Sequence, residues 1–173
     1  MKIRTWQIIV IIIFLILGIL LHFTYEWSGE NNIVGLFSAV NESAWEHLKL
    51  AFYPMLLMAI IGYFVIGKDI SNYWIAQAIG IFSAILFITI FFYTYTGIIG
   101  QNIDVFNIGS FIVAIILGQY IVYKILISEK FYNSETISVI FLILLLLMFI
   151  LYTFNPPQIQ YFQDPITREY GIQ

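Results

Sequence analysis

The densest run of chemistry-bearing side chains in the sequence is Asn41-Glu-Ser-Ala-Trp-Glu-His-Leu-Lys49. It sets two carboxylates, an imidazole and an ammonium directly before a long apolar stretch. On a helix turning 100° per residue, Glu42, Glu46 and Lys49 fall within about 60° of one another. Trp45 lies beside them, and Ser43 and His47 form a neighbouring stripe. Carboxylates at i and i+4 repel each other. Near lipid, that repulsion has to be relieved by a proton, by Lys49 or by a metal ion.

Other groups are expected at the same level. His22 and Glu26 are four apart near the end of the first apolar stretch, and Asp104 lies in the Gly97–Asp104 turn. Asp164, Arg168, Glu169 and Tyr170 lie in the C-terminal tail. The chain has two histidines, and two His with one or two carboxylates suffice for a catalytic-type zinc site with an open position. His22, His47 and Glu46 are the candidate ligands, Glu42 and Asp104 being further carboxylates in reach, and zinc or another divalent ion is the cofactor they would take. As a binding surface the candidates are Asn41, Glu42, Trp45, Glu46, His47, Lys49 and Asp104. A purely structural account covers much of the same motif. Ser43-x-x-Glu46 is a capping box, Asn41 is a good cap, carboxylates suit a helix N-terminus, and Lys49 can snorkel. That account leaves His47 unexplained.

These groups need a scaffold, and composition says which. Apolar residues make up 61% of the 173 and charged residues 10%, against about 25% charged in a soluble domain. Such a chain needs lipid as its solvent. The absence of cysteine removes disulfides, thiolate metal sites and thiol nucleophiles. No basic tract of the kind that binds nucleic acid is present. Five stretches reach the roughly 20 apolar residues that cross a bilayer: about 6–23, 48–66, 73–95, 106–127 and 137–154. The expected fold is therefore all-α, a single membrane domain over 1–173 with about five spanning helices and a tail over 155–173. The first stretch follows Lys2 and Arg4 but has no small-x-small cleavage site, so it reads as a retained anchor. Ile33–Val40 is too short to cross and reads as an interfacial or re-entrant piece roofing the mouth of the bundle. Ala76-x-x-x-Gly80-x-x-x-Ala84 and Ser110-x-x-x-Ala114-x-x-x-Gly118 predict that the third and fourth spans pack closely.

Orientation follows from the cations. With the N-terminus cytoplasmic, Lys2, Arg4, Lys68, Lys124 and Lys130 lie inside, leaving Lys49 and Arg168 outside, in keeping with the positive-inside bias. The C-terminus, both histidines and most carboxylates are then external. No ionisable residue lies mid-span, which speaks against an ion-coupled pump.

The stretch Phe37–Lys49, with Phe162-Gln-Asp-Pro165 and Tyr170-Gly171, resembles a family of small bacterial polytopic membrane proteins classed as a domain of unknown function. That resemblance covers the chain and implies no activity. Asn41, Glu42, Trp45 and His47 are also faintly similar to the helix entry of membrane hydrolases that include progestin/adiponectin receptors and alkaline ceramidases. Those have seven spans and a later pair of histidines four apart, which this chain lacks.

Two functions follow. The first is a non-enzymatic membrane protein whose external polar cluster binds a lipid headgroup, a small ligand or a partner, either another membrane protein or a second copy. The second is a metal-dependent hydrolase at the outer leaflet, which requires His22 and His47 to converge with a carboxylate. An aspartyl pair of Asp104 and Asp164 is a third and weaker arrangement, and no serine stands in a nucleophile-elbow context.

Overall fold

In lipid every backbone N–H and C=O has to be satisfied within its own segment, so the apolar stretches become helices. The computed structural model describes residues 2–128, 130–131 and 134–172; Met1 and Gln173, the ends of the expected domain, lie outside them. The elements are α1 (Ile3–Trp27), α2 (Asn32–Gly35), α3 (Ala44–Gly62), α4 (Tyr73–Ile99), α5 (Asp104–Leu126) and α6 (Glu135–Phe154). A π-helical turn, Tyr63–Gly67, extends α3, and a 3-10 turn, Gln160–Phe162, follows α6. Five of these helices are long and apolar enough to cross a membrane. Most begin or end a few residues beyond the apolar runs, because capping and aromatic residues carry the helix past the hydrocarbon-like stretch. Gly100, left-handed at φ 79°, stops α4 by returning its N–H to Thr96.

The third helix is the pivot. Of its apolar window 56% is buried, against 17% for α1 and 22% for α6; α1 and α4 pack against it, and α4 in turn carries α5 and α6. Small residues set the α4–α5 contact as the sequence predicts. A Cβ built on Gly80 would stand 2.8 Å from the Gly118 carbonyl oxygen, and one on Gly118 would stand 2.8 Å from that of Gly80. At the other end of α3, Tyr73 donates its hydroxyl to the Ala59 carbonyl at 2.7 Å and fills the space over Gly62 and Gly67.

Two segments close the end where α1 finishes and α3 begins. In the 33–40 stretch only the α2 turn is helical, started by Asn31, whose Oδ1 accepts the Ile33 N–H at 2.9 Å. Beyond it Ser38 is fully buried, donating to the Leu21 carbonyl and sharing a 2.5 Å hydrogen bond with Thr24. The segment is thereby tied to α1. The tail docks beside it, with Ile172 against Gly35. Phe162 packs on Trp45 with ring centroids 5.0 Å apart, Ile172 donates to the Thr153 carbonyl at 2.9 Å, and Gln163 and Tyr170 form an antiparallel bridge.

Candidate metal centre and cavity

Ser43 decides the local geometry. Its Oγ accepts the Glu46 N–H at 3.3 Å, making Ser43 the N-cap and Ala44 the first helical residue. Glu42 therefore precedes the helix and is not part of the face that a helix drawn through 41–49 gives it. Glu46 does not reach back to close a capping box; the Ser43 N–H goes to Asn41 Oδ1 at 3.0 Å. The two carboxylates part company, and their mutual repulsion disappears with them.

Glu42 turns toward the histidines. His47 is one turn into α3, on the face it shares with Ala44 and Leu48, and His22 is in the last turns of α1. His47 Nε2 stands 3.3 Å from His22 Nε2 and 3.4 Å from Glu42 Oε2, and His22 Nε2 is 4.0 Å from Glu42 Oε1. One ligand atom from each of the three residues lies within 4.8 Å of the others. Around an ion bound at about 2.1 Å, tetrahedral ligand atoms stand roughly 3.4 Å apart. The other ring nitrogen of His47, Nδ1, is 3.0 Å from the Ser43 carbonyl. Donating there leaves Nε2 as the bare nitrogen, the arrangement that orients metal-binding imidazoles. The three side chains are 31–45% exposed, so the cluster is open on one side.

The tail holds Glu42 in place through the backbone. Asp164 accepts the Glu42 N–H at 3.0 Å, the Ile166 N–H at 2.6 Å and the Thr167 N–H at 3.0 Å. Burial by itself would raise the Asp164 carboxyl, but these three donors and nearby His47 outweigh it and hold the group below the ordinary aspartate range. A carboxylate so engaged is not a partner for Asp104 in an aspartyl dyad. Asn41, also at this junction, reaches the Gly171 carbonyl at 3.4 Å.

Glu46 and Lys49 face the bundle interior, away from the histidines. Their charged atoms are 2.6 Å apart, with side-chain exposures of 2% and 0%. Lys49 also donates to the carbonyls of Gly35 at 2.9 Å and Ser38 at 3.3 Å, and Glu46 accepts the Val40 N–H at 3.1 Å. The pair fastens the 33–40 segment to α3, and Lys49 does not snorkel. Trp45 is equally internal, stacked on Phe149 at 4.6 Å. It serves the core where a headgroup-facing role was expected. The carboxylate beside the histidines is Glu42, where Glu46 was the first choice from sequence.

His22, Glu42 and His47 flank a cavity of about 500 Å³ between α1, α3, α4 and α5. Its opposite flank carries Asn102, Asp104 and Asn107, and its depth is apolar, with Leu15, Ile88, Phe111 and Ile112. Of the expected binding residues, Glu42, His47 and Asp104 line it. Asn41, Trp45, Glu46 and Lys49 do not. Asn102 and Asn107 escaped the sequence reading. Tyr95 holds them, its hydroxyl 2.8 Å from Asn102 Oδ1 and 2.5 Å from Asn107 Oδ1, while Asn107 Nδ2 donates to Asn102 Oδ1 at 2.7 Å. A signal existed in the two amides flanking the predicted start of a span, five residues apart.

Comparison with curated proteins and with solved structures yields no match. One family model matches residues 1–172, described as "Family of unknown function (DUF6512)". With nearly its whole length matched, this five-span helical chain belongs to the DUF6512 family.

Proposed function

We propose that this membrane protein is a metal-dependent hydrolase acting at the outer leaflet, with His22, Glu42 and His47 as the metal ligands. The convergence of those three groups beside an amphipathic cavity carries the reading. Two of their separations, 3.3 and 3.4 Å, equal the edge of a zinc-ligand tetrahedron, and the Nδ1 of His47 is already occupied. A bound divalent ion of this kind supplies Lewis acidity and a water acidified toward neutral pH. The protein contributes the rest. Ser43 orients His47, Asp164 anchors the backbone of Glu42, and Asp104, a further carboxylate on the opposite cavity wall, would serve as a base for a water held between them. The distribution of cations supports the external placement. Lys2, Arg4, Lys68 and Lys124 lie at the far ends of their helices from the cluster, the side that stays cytoplasmic.

The test is the metal content of the purified protein after chelator-free dialysis and zinc loading, compared with His47→Ala and Glu42→Gln. Near-stoichiometric zinc in the parent, lost in both variants, is the expected result. A parent protein that retains no metal after loading overturns the hydrolase and leaves a non-enzymatic binding protein.

A further inference from the structure

The cavity has a direction. Along α1 it runs from His22 inward to Leu15, and along α5 from Asp104 inward to Ile112. At 1.5 Å per residue that is a depth of about 10–12 Å. The charged and amide groups sit at the shallow end, and the deep end is apolar apart from the hydroxyls of Thr89 and Ser110. The cavity narrows partway in, where Phe111 packs against Gly18 so closely that a Cβ there would stand 2.5 Å from the ring. Above that contact the facing walls carry Ile19 on α1 and Ile108 on α5, each 61% exposed, with Phe23 at 42%. The rim between α1 and α5 is thus apolar and open to the side, where these helices meet lipid.

The polar end has a sign. Glu42 and Asp104 line it, and no Lys or Arg is among the lining residues; Lys49, the nearest cation in sequence, is buried elsewhere against Glu46. Without a metal ion, an anionic headgroup would meet two carboxylates there. Hydroxyl or amine donors would meet acceptors in Asp104, Asn102 and Glu42. The volume, about 500 Å³, suits one chain. With a methylene about the size of a water molecule, roughly 30 Å³, two sixteen-carbon chains alone would need roughly 1,000 Å³.

We infer that the cavity takes a neutral single-chain amphiphile, its acyl chain entering from the bilayer between α1 and α5 and its ester or amide linkage resting at His22, Glu42 and His47. The class of substrate rests on the hydrolase reading, whereas occupancy of the cavity by the chain does not. Hydrolysis then adds water across the acyl bond, giving a carboxylic acid and an alcohol or amine, with no further reactant required.

The probe is a monoacylglycerol with a photoactivatable diazirine at the chain end, added to the full-length protein in nanodiscs, with adducts mapped by mass spectrometry. Saturable labelling near Leu15, Phe111 and Ile112 is expected. Unlabelled monoacylglycerol should compete for it, and in protein kept metal-free with chelator, where Glu42 and Asp104 stand uncompensated, a lysophosphatidic acid of equal chain length should compete about tenfold less well because of like charge at the head. Ile108→Trp, at the exposed rim, should remove most of the labelling, and Ile12→Trp, exposed on α1 outside the cavity, should leave it unchanged. Labelling spread without saturation over the lipid-facing helices, or unaffected by Ile108→Trp, overturns the proposal. Metal content reports separately. Saturable labelling in a protein that binds no zinc retains the chain site and removes the hydrolase. Zinc binding without cavity labelling retains the metal centre and removes the amphiphile.

Discussion

Glu42 and Glu46 stand four residues apart in one motif, each beside a basic side chain, and the fold gives them opposite tasks. Glu46 is buried, its Oε2 engaged by Lys49 at 2.6 Å and by the Val40 N–H, and it holds the 33–40 segment onto α3. Glu42 is nearly half exposed, faces two imidazoles and opens on a cavity. A carboxylate sealed in the interior against its own counter-ion is out of a ligand's reach, whereas a half-exposed one beside two histidines is open to it. The boundary between the two fates is a single N-cap. Because Ser43 starts the helix, residue 46 is rotated into the bundle and residue 42 stays in the loop.

The contrast makes its strongest prediction at the buried pair. Lys49→Met leaves the Glu46 carboxylate in the interior without its counter-ion, and removing one partner of a buried pair costs about 3–5 kcal/mol. Unfolding in mixed detergent micelles should show that loss, with the double variant Glu46→Leu/Lys49→Met recovering part of it. A Lys49→Met protein as stable as the parent would break the comparison at its root.

The tail provides an intermediate case. Asp164→Ala deprives three backbone N–H groups of one charged acceptor, at a cost of about 2 kcal/mol. It also frees the backbone of Glu42. Limited proteolysis should then cut between Asn155 and Ile172, and zinc affinity should fall by about tenfold or more, the effect typical of losing a supporting contact. Intact zinc affinity in a protein with a released tail would show that Glu42 holds its position unaided.

The smallest stability effects belong to the cluster itself. His22→Ala, His47→Ala and Glu42→Gln remove partly exposed groups and should each shift unfolding by about 0.5 kcal/mol or less, while abolishing metal retention. A loss comparable to that of Lys49→Met would mean that the histidines serve the fold and not a ligand.

Much of the framework is legible in the residues. Five apolar runs, the small-residue spacing at Gly80 and Gly118, the Ser43 cap and the shared depth of His22 and His47 each follow from local pattern, and the helices form where the pattern puts them. The carboxylate assignment does not follow, because face arithmetic assumes the helix has already begun. Carrying it back through Asn41 and Glu42 places Glu42 and Glu46 together, whereas the observed start at Ala44 separates them. Trp45 misleads for a related reason. An aromatic at a helix entry suits the headgroup belt, but here the tail supplies Phe162 and covers it.

Residue types alone settle the solvent and the parts. A chain with 10% charged residues has to live in lipid, lipid obliges its apolar runs to be helices, and both histidines then lie toward the same end of the bundle. Which side chains meet is settled by packing. His22 and His47 are 25 residues apart, and Glu42 and Asp164 are 122 apart. Such pairings depend on how α1, the 33–40 segment and the tail pack around α3, and packing between distant segments leaves no local period to read.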